Sequence, residues 1–130
     1  MVNRYSKGAR GERELIHKFS DAGFSVIRAA GSGVNSLSPD LLVFKRGRQY
    51  AFESKAWGGN RVSIPREQFE GLQKWEENTG ITTMIAWKID RMGWFFFYLK
   101  EMKENPAGFS MTKKRALEVN RGLGYLLESF

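Results

Sequence analysis

Helical and strand periodicities alternate along this chain. Over residues 6–22 apolar side chains at Leu15, Ile16 and Phe19 form one helical stripe, and Gly23 follows as a stop. Residues 24–29 (FSVIRA) predict a strand and residues 30–39 (AGSGVNSLSP) a Gly/Ser-rich loop. Two apolar runs, at about 40–45 and 49–56, flank a basic turn with a glycine and predict a β-hairpin. Residues 57–63 (WGGNRVS) predict a loop. Pro65 suits the first position of a helix running to about Asn78, with Phe69, Leu72 and Trp75 on its inner face and Gly80 beyond its end. Residues 82–89 and 94–99 predict two more strands, joined by a turn at Asp90-Arg91-Met92-Gly93. A final helix covers about 113–128, with Ala116, Val119, Leu123 and Leu126 or Leu127 in register. The order α-β-β-β-α-β-β-α predicts an α/β fold: one domain, with a central mixed five-stranded sheet flanked by helices.

The polar exceptions inside the hairpin carry the chemistry. Strand side chains alternate, so Glu53 and Lys55 share one face, and Asp40 shares a face with Leu42 and Phe44. A two-residue turn at Arg46-Gly47 pairs Lys45 with Arg48 and sets Asp40 opposite Glu53; a three-residue loop slips the pairing by one. Opposed carboxylates destabilise a sheet. A hard divalent cation, which takes oxygen ligands, removes that conflict. Such an ion polarises a phosphoryl oxygen and acidifies a bound water. Lys55, pointing the same way, would hold the attacking water or stabilise charge in the transition state. The hairpin therefore reads as a site for metal-assisted phosphodiester hydrolysis. Taken singly, Asp40 also fits an ordinary turn after Pro39, and Glu53 and Lys55 a solvated strand face.

A third acid adds weight. Glu12 extends the Leu15–Ile16–Phe19 stripe onto a face that should be apolar, where a carboxylate needs a partner or a metal. Gly8 and Gly11 flank it and permit close approach of backbone or substrate. A boundary glutamate at a helix start is the alternative, since the helix dipole favours it there.

Composition narrows the partners. The 130 residues carry a formal net charge of +7, which favours polyanions, nucleic acid before anionic membrane. The cations cluster: Arg4, Lys7, Arg10 and Arg13 at the N-terminus; Lys45, Arg46 and Arg48 at the hairpin tip; Lys113, Lys114 and Arg115 at the start of the last helix. There is no cysteine, so disulfides and thiolate metal sites are excluded, and the single histidine, His17, reads as a surface residue. No apolar run reaches the ~20 residues that span a bilayer. The N-terminus turns acidic and helical where a signal peptide needs an apolar stretch, so an intracellular, soluble, cytoplasmic and nucleoid-associated protein is expected. The loop at 31–39 lacks the endings of phosphate-binding nucleotide motifs.

Pro39-Asp40, twelve intervening residues, and Glu53-Ser54-Lys55 together resemble the PD-(D/E)-x-K nuclease motif. "YSKGARGERELI" and "GFSVIRAAGS" resemble the N-terminal signature and following strand of archaeal Holliday junction resolvases of the Hjc type. The resemblance covers most of the chain and is strongest over residues 5–56. It implies a restriction-endonuclease-like nuclease fold and a structure-selective endonuclease of DNA recombination and repair. Such an enzyme resolves four-way DNA junctions as a homodimer, with Mg²⁺, for which Mn²⁺ substitutes. It implies a catalytic set of Glu12, Asp40, Glu53 and Lys55, with Ser32 approaching the scissile strand. Asp40, Glu53, the Ser54 carbonyl and, through water or a second ion, Glu12 are the implied metal ligands. Arg4, Lys7, Arg10, Arg13, Arg28, Ser32, Trp57 and Arg61 are the expected DNA contacts. The C-terminal YLLESF weakly resembles a sliding-clamp-binding tail without its glutamine. Two rivals stay open: another nuclease of the same superfamily, and a non-catalytic DNA-binding protein that has kept the fold.

Overall fold

Arg46 and Gly47 both adopt positive φ, 49° and 85°, the turn geometry that matches the right-handed twist of the strands it joins. In this computed structural model, which describes residues 4–29, 38–56 and 59–128, that turn fixes the hairpin. It connects β2 (Leu41–Lys45) to β3 (Arg48–Lys55), and Lys45 pairs with Arg48, Val43 with Tyr50 and Leu41 with Phe52. The two-residue turn and its register are as the sequence predicts. The ladder stops one step short of the acids. Asp40 does not pair with Glu53; its N–H donates instead to the Phe52 carbonyl at 2.9 Å.

Around this hairpin the main sheet has the order β1-β2-β3-β5-β6, with β1 at Ser25–Arg28, β5 at Thr82–Ile89 and β6 at Gly93–Tyr98. The β3–β5 contact is parallel and the others antiparallel, so the sheet is mixed and five-stranded as expected. Helix α1 (Arg4–Asp21) covers one face. Leu15 and Phe19 pack there on Leu41, Val43, Phe52, Met84 and Phe96. Helix α2 (Arg66–Thr79) covers the other, placing Phe69 and Leu72 among Ile85, Trp87 and Phe97. Alternate residues of β5 and β6 therefore face opposite cores, and Trp94–Tyr98 is a core strand. Gly80 takes the left-handed conformation (φ 72°) that ends α2.

Several expectations are corrected. Residues 57–63 are not wholly a loop: β4 (Arg61–Pro65) buries Val62 and Ile64 in alternation. Pro65 is the last residue of that strand, and α2 begins at Arg66. β4 belongs to a second, three-stranded sheet, β4-β8-β7, with β7 at Lys103–Asn105 and β8 at Gly108–Thr112. At Gly108 an added Cβ would sit 2.3 Å from the Ile64 carbonyl oxygen, so β8 needs glycine to reach β4. The final helix is two pieces, α3 (Lys113–Val119) and α4 (Leu123–Glu128). Asn120 turns left-handed between them, and the Arg121 carbonyl accepts from Phe96 N–H at 2.9 Å. The break thus satisfies part of the exposed edge of β6. Leu126 is buried under α1's face of the sheet while Tyr125 stays exposed, so the YLLE portion of the proposed clamp tail is a helix docked through one leucine, and nothing supports a clamp contact.

The contact of α1 with β3 depends on Gly11. A Cβ there would lie 2.8 Å from Ala56 Cβ, closer than real side chains approach, whereas at Gly8 it would meet nothing within 4 Å. Replacing either glycine with alanine gains about 1 kcal/mol of helix propensity. Overpacking at Gly11 costs about 1–3 kcal/mol. Urea denaturation should therefore show Gly8→Ala more stable than the parent and Gly11→Ala less stable.

Candidate active site

Four elements converge where the hairpin strands end. Glu12 comes from α1, Arg28 from the end of β1, Asp40 from the residue before β2, and Glu53 and Lys55 from the end of β3. The predicted catalytic acids thus lie together with their lysine. Their separate jobs follow from what each oxygen touches.

Asp40 is anchored by β3. Its Oδ2 accepts from Ser54 N–H at 2.9 Å, so the aspartate closes the hairpin end where backbone pairing has stopped. Glu53 is only 5% exposed. Its Oε2 accepts from Gln68 Nε2 of α2 and faces Lys55 Nζ at 3.7 Å. Glu12 accepts from Arg28 Nε and is the partly buried member of that pair. Its position on the core-facing stripe is resolved by a cation.

The electrostatics are those of a site short of positive charge. Burial pushes the Glu53 carboxyl up to about 8 from its ordinary 4.5, the nearby Asp40 charge pushes the same way, and Lys55 and Gln68 oppose both. Asp40 is also raised, by burial and then by Glu12, against the pull of Ser54 N–H, Lys55 and Arg28. Two buried carboxylates that resist ionising together either keep a proton or take a cation between them. Each has one oxygen held by the protein and another, Asp40 Oδ1 or Glu53 Oε1, without a hydrogen-bond partner among the described residues. That donor set fits a hard divalent ion that takes one or two carboxylates and fills its shell with water and phosphate oxygen. Among the described residues, no three acidic or histidine side chains converge closely enough to hold one ion. The Asp40–Glu53 pair is therefore the candidate centre, with Glu12 outside it.

Glu14, the neighbouring acid of α1, differs. It accepts from Trp94 Nε1 at 2.9 Å and from Lys88 Nζ. Chiefly because of the Lys88 bond, its carboxyl lies below its ordinary value. It is a satisfied structural acid.

The remaining predicted residues divide. Arg10, Arg13 and Arg28 are exposed on α1 and β1, and Arg61 is exposed on β4 in the second sheet. Arg4 and Lys7 lie in the first turns of α1, and their side chains are outside the described set. Ser32 and Trp57 lie outside the described residues. Lys45 is not a free tip cation: its ammonium donates to the Ala22 carbonyl at 2.8 Å and lies over the Phe24 ring. His17 is exposed, as expected.

Gln68 was not foreseen. The signal was present: Gln68, Leu72 and Trp75 share one stripe of α2, so Gln68 is a polar residue on an inward face. Like Glu12, it is a polar side chain on a stripe that is otherwise apolar.

Comparison with known proteins agrees with this geometry. Residues 3–128 match the archaeal Holliday junction resolvase (Hjc) family profile. The crossover junction endodeoxyribonuclease Hjc of Sulfolobus acidocaldarius is 33% identical over 110 residues, which cover 82% of this chain and 76% of that protein. The same-named protein of Archaeoglobus fulgidus is 32% identical over 107 residues, covering 82% and 79%. The solved structure of A. fulgidus Hjc, a Holliday junction resolvase, aligns over 96% of this chain and 98% of its own with a TM-score of 0.83 at 24% identity. A bacterial homing endonuclease, I-Ssp6803I, shares the fold at a TM-score of 0.58 and 14% identity over 86% and 75%. The fold is thus restriction-endonuclease-like.

The raised Glu53 carboxyl has a stability consequence whose sign is fixed. The folded state binds its proton more tightly than the unfolded chain, so metal-free stability declines as pH rises from about 4.5 through about 8. Glu53→Gln removes that decline. Thermal melts in EDTA should show the variant melting above the parent at pH 9 and close to it at pH 5. An equal shift at both pH values would contradict the burial of an ionising group there.

Proposed function

Because this chain belongs to the archaeal Holliday junction resolvase family, we propose that it cuts four-way DNA junctions by divalent-metal-assisted phosphodiester hydrolysis at Asp40, Glu53 and Lys55. The observation that carries the mechanism is the buried Asp40–Glu53 pair, each member with one oxygen committed to the protein and one left over. We read the whole chain as one nuclease domain.

Asp40 and Glu53, with the Ser54 carbonyl as a further ligand, would hold the ion, and Mg²⁺ suits this all-oxygen set, with Mn²⁺ able to replace it. When bound, the ion polarises the scissile phosphate and acidifies a water. Ser54 N–H keeps Asp40 turned to the hairpin end, and Gln68 with Lys55 keeps Glu53 Oε2 occupied so that its other oxygen faces the centre. The Lys55 ammonium supplies positive charge beside the attacking water and the pentacovalent transition state. Arg28 holds Glu12 and, being largely exposed, can also meet a phosphate. Glu12 acts at one remove, through a water or a second ion.

Exposed cations on α1 and β1 would bind backbone phosphates, which carry shape and charge and no sequence. A homodimer would present two such centres about a two-fold axis, matching the approximate symmetry of a four-way junction.

The test uses a labelled synthetic junction and a linear duplex of matched sequence, with Mg²⁺ or EDTA. Paired nicks in opposed junction strands, with the duplex spared and no cutting in EDTA, are expected. Asp40→Asn should abolish cutting while junction binding persists; full activity in that variant would remove Asp40 from the metal site. Gln68→Ala should lower the cleavage rate roughly 10–100-fold, the usual effect of losing a group that orients a metal ligand, with junction affinity unchanged. An undiminished rate would make the Gln68–Glu53 bond incidental.

A further inference from the structure

Arg61 of β4 and Lys113 and Lys114 at the start of α3 lie together outside the catalytic centre. β4 and the start of α3 are joined by one backbone bond, Lys113 N–H to the Asn60 carbonyl, at 2.7 Å. Between them lies an open groove of about 490 Å³ lined by Asn60, Arg61, Thr112, Lys113, Lys114 and Leu117. Its lining carries three cations and no acid.

Several other cations are committed. Arg66 pairs with Glu104, Lys88 with Glu14, and Arg121 with Glu101, while Lys45 is held by a carbonyl. Arg61, Lys113 and Lys114 have no acidic partner within ion-pair distance among the described residues. Three uncompensated cations around one groove repel each other, and a polyanion relieves that repulsion.

The groove is also within reach of the chemistry. Arg61 follows Lys55 by six residues, which span at most roughly 20 Å of extended chain. One turn of duplex DNA is about 34 Å long. A duplex arm with its scissile phosphate at Lys55 can therefore lay backbone over Arg61 and the two lysines within the same turn.

Resting on the junction-cutting reading above, we propose that this groove is a second phosphate track, which grips the backbone of the arm being cut and takes no part in the chemistry. Its ligand is the phosphodiester backbone, read by charge alone. Arg61 and Lys114 stand exposed at its rim, and Lys113 is half-buried and positioned by Asn60.

The test is Lys113→Gln/Lys114→Gln, with Lys114→Gln alone as an exposed substitution that does not disturb the strand junction. Junction binding in EDTA is followed by fluorescence anisotropy over a range of salt concentrations. Each lost phosphate contact lowers the log–log salt slope by about 0.9. The double variant should therefore bind several-fold more weakly, with a slope lower by about 1.8, and the single variant should show about half that change. Neutral methylphosphonate linkages placed within roughly six base pairs of the cut, where base pairs rise by about 3.4 Å, should weaken the parent more than the double variant, which keeps Arg61 but has lost two of the groove's cations. Single-turnover cleavage of saturated junction should be unchanged. If parent and variants bind with the same slope while the parent cuts junctions normally, the groove proposal alone is overturned. If the parent neither binds nor cuts junctions, the functional reading fails and the groove proposal falls with it.

Discussion

Two buried carboxylates at the end of one hairpin set the terms for the rest of this molecule. Asp40 and Glu53 would each be easier to accommodate in water, and burial drives both toward the protonated form, aided by the Glu12 charge at Asp40 and by the Asp40 charge at Glu53. A fold seeking only stability would not keep them. The surroundings are built to hold them in place without neutralising them. Ser54 N–H steadies one, Gln68 and Lys55 the other, and the partial compensation leaves a demand for exactly the sort of charge a divalent ion brings.

The scaffold explains how that arrangement is maintained. The parallel β3–β5 contact requires a crossover, and the crossover contains α2, which delivers Gln68 to Glu53. On the other face, α1 approaches β3 closely because Gly11 has no Cβ, and that approach carries Glu12 to the strand ends where Arg28 meets it. The two cores on opposite faces of the sheet therefore position groups on opposite sides of one site. Helix packing here sets chemistry as well as stability.

Much of this was legible in the residues. The Arg46-Gly47 turn fixes its own geometry, so the hairpin register and the convergence of Asp40, Glu53 and Lys55 follow from local sequence. The last step was less legible: Pro39 has no N–H to give, and the ladder ends before Asp40 can pair with Glu53. The second sheet was missed because its partners are far apart in sequence. Arg61 pairs with Thr112; Gly58, Gly59 and Asn60 ahead of β4 read as loop and Pro65 at its end as a helix start, and β7 has only three residues. The split of the last helix was missed because Asn120 and Gly122 interrupt a pattern whose apolar positions continue on both sides. Gln68 was visible as a polar break in an apolar stripe, but only the tertiary contact shows that the break faces a carboxylate.

The central claim is that Asp40 and Glu53 jointly hold a divalent ion. The most direct measurement is anomalous diffraction from crystals soaked in Mn²⁺, with crystals of Asp40→Asn treated alike. The account predicts a peak within roughly 2–2.5 Å of a carboxylate oxygen of both residues, absent in the variant. A peak on Glu12 or Glu14 alone, or one that persists in the variant, would contradict it.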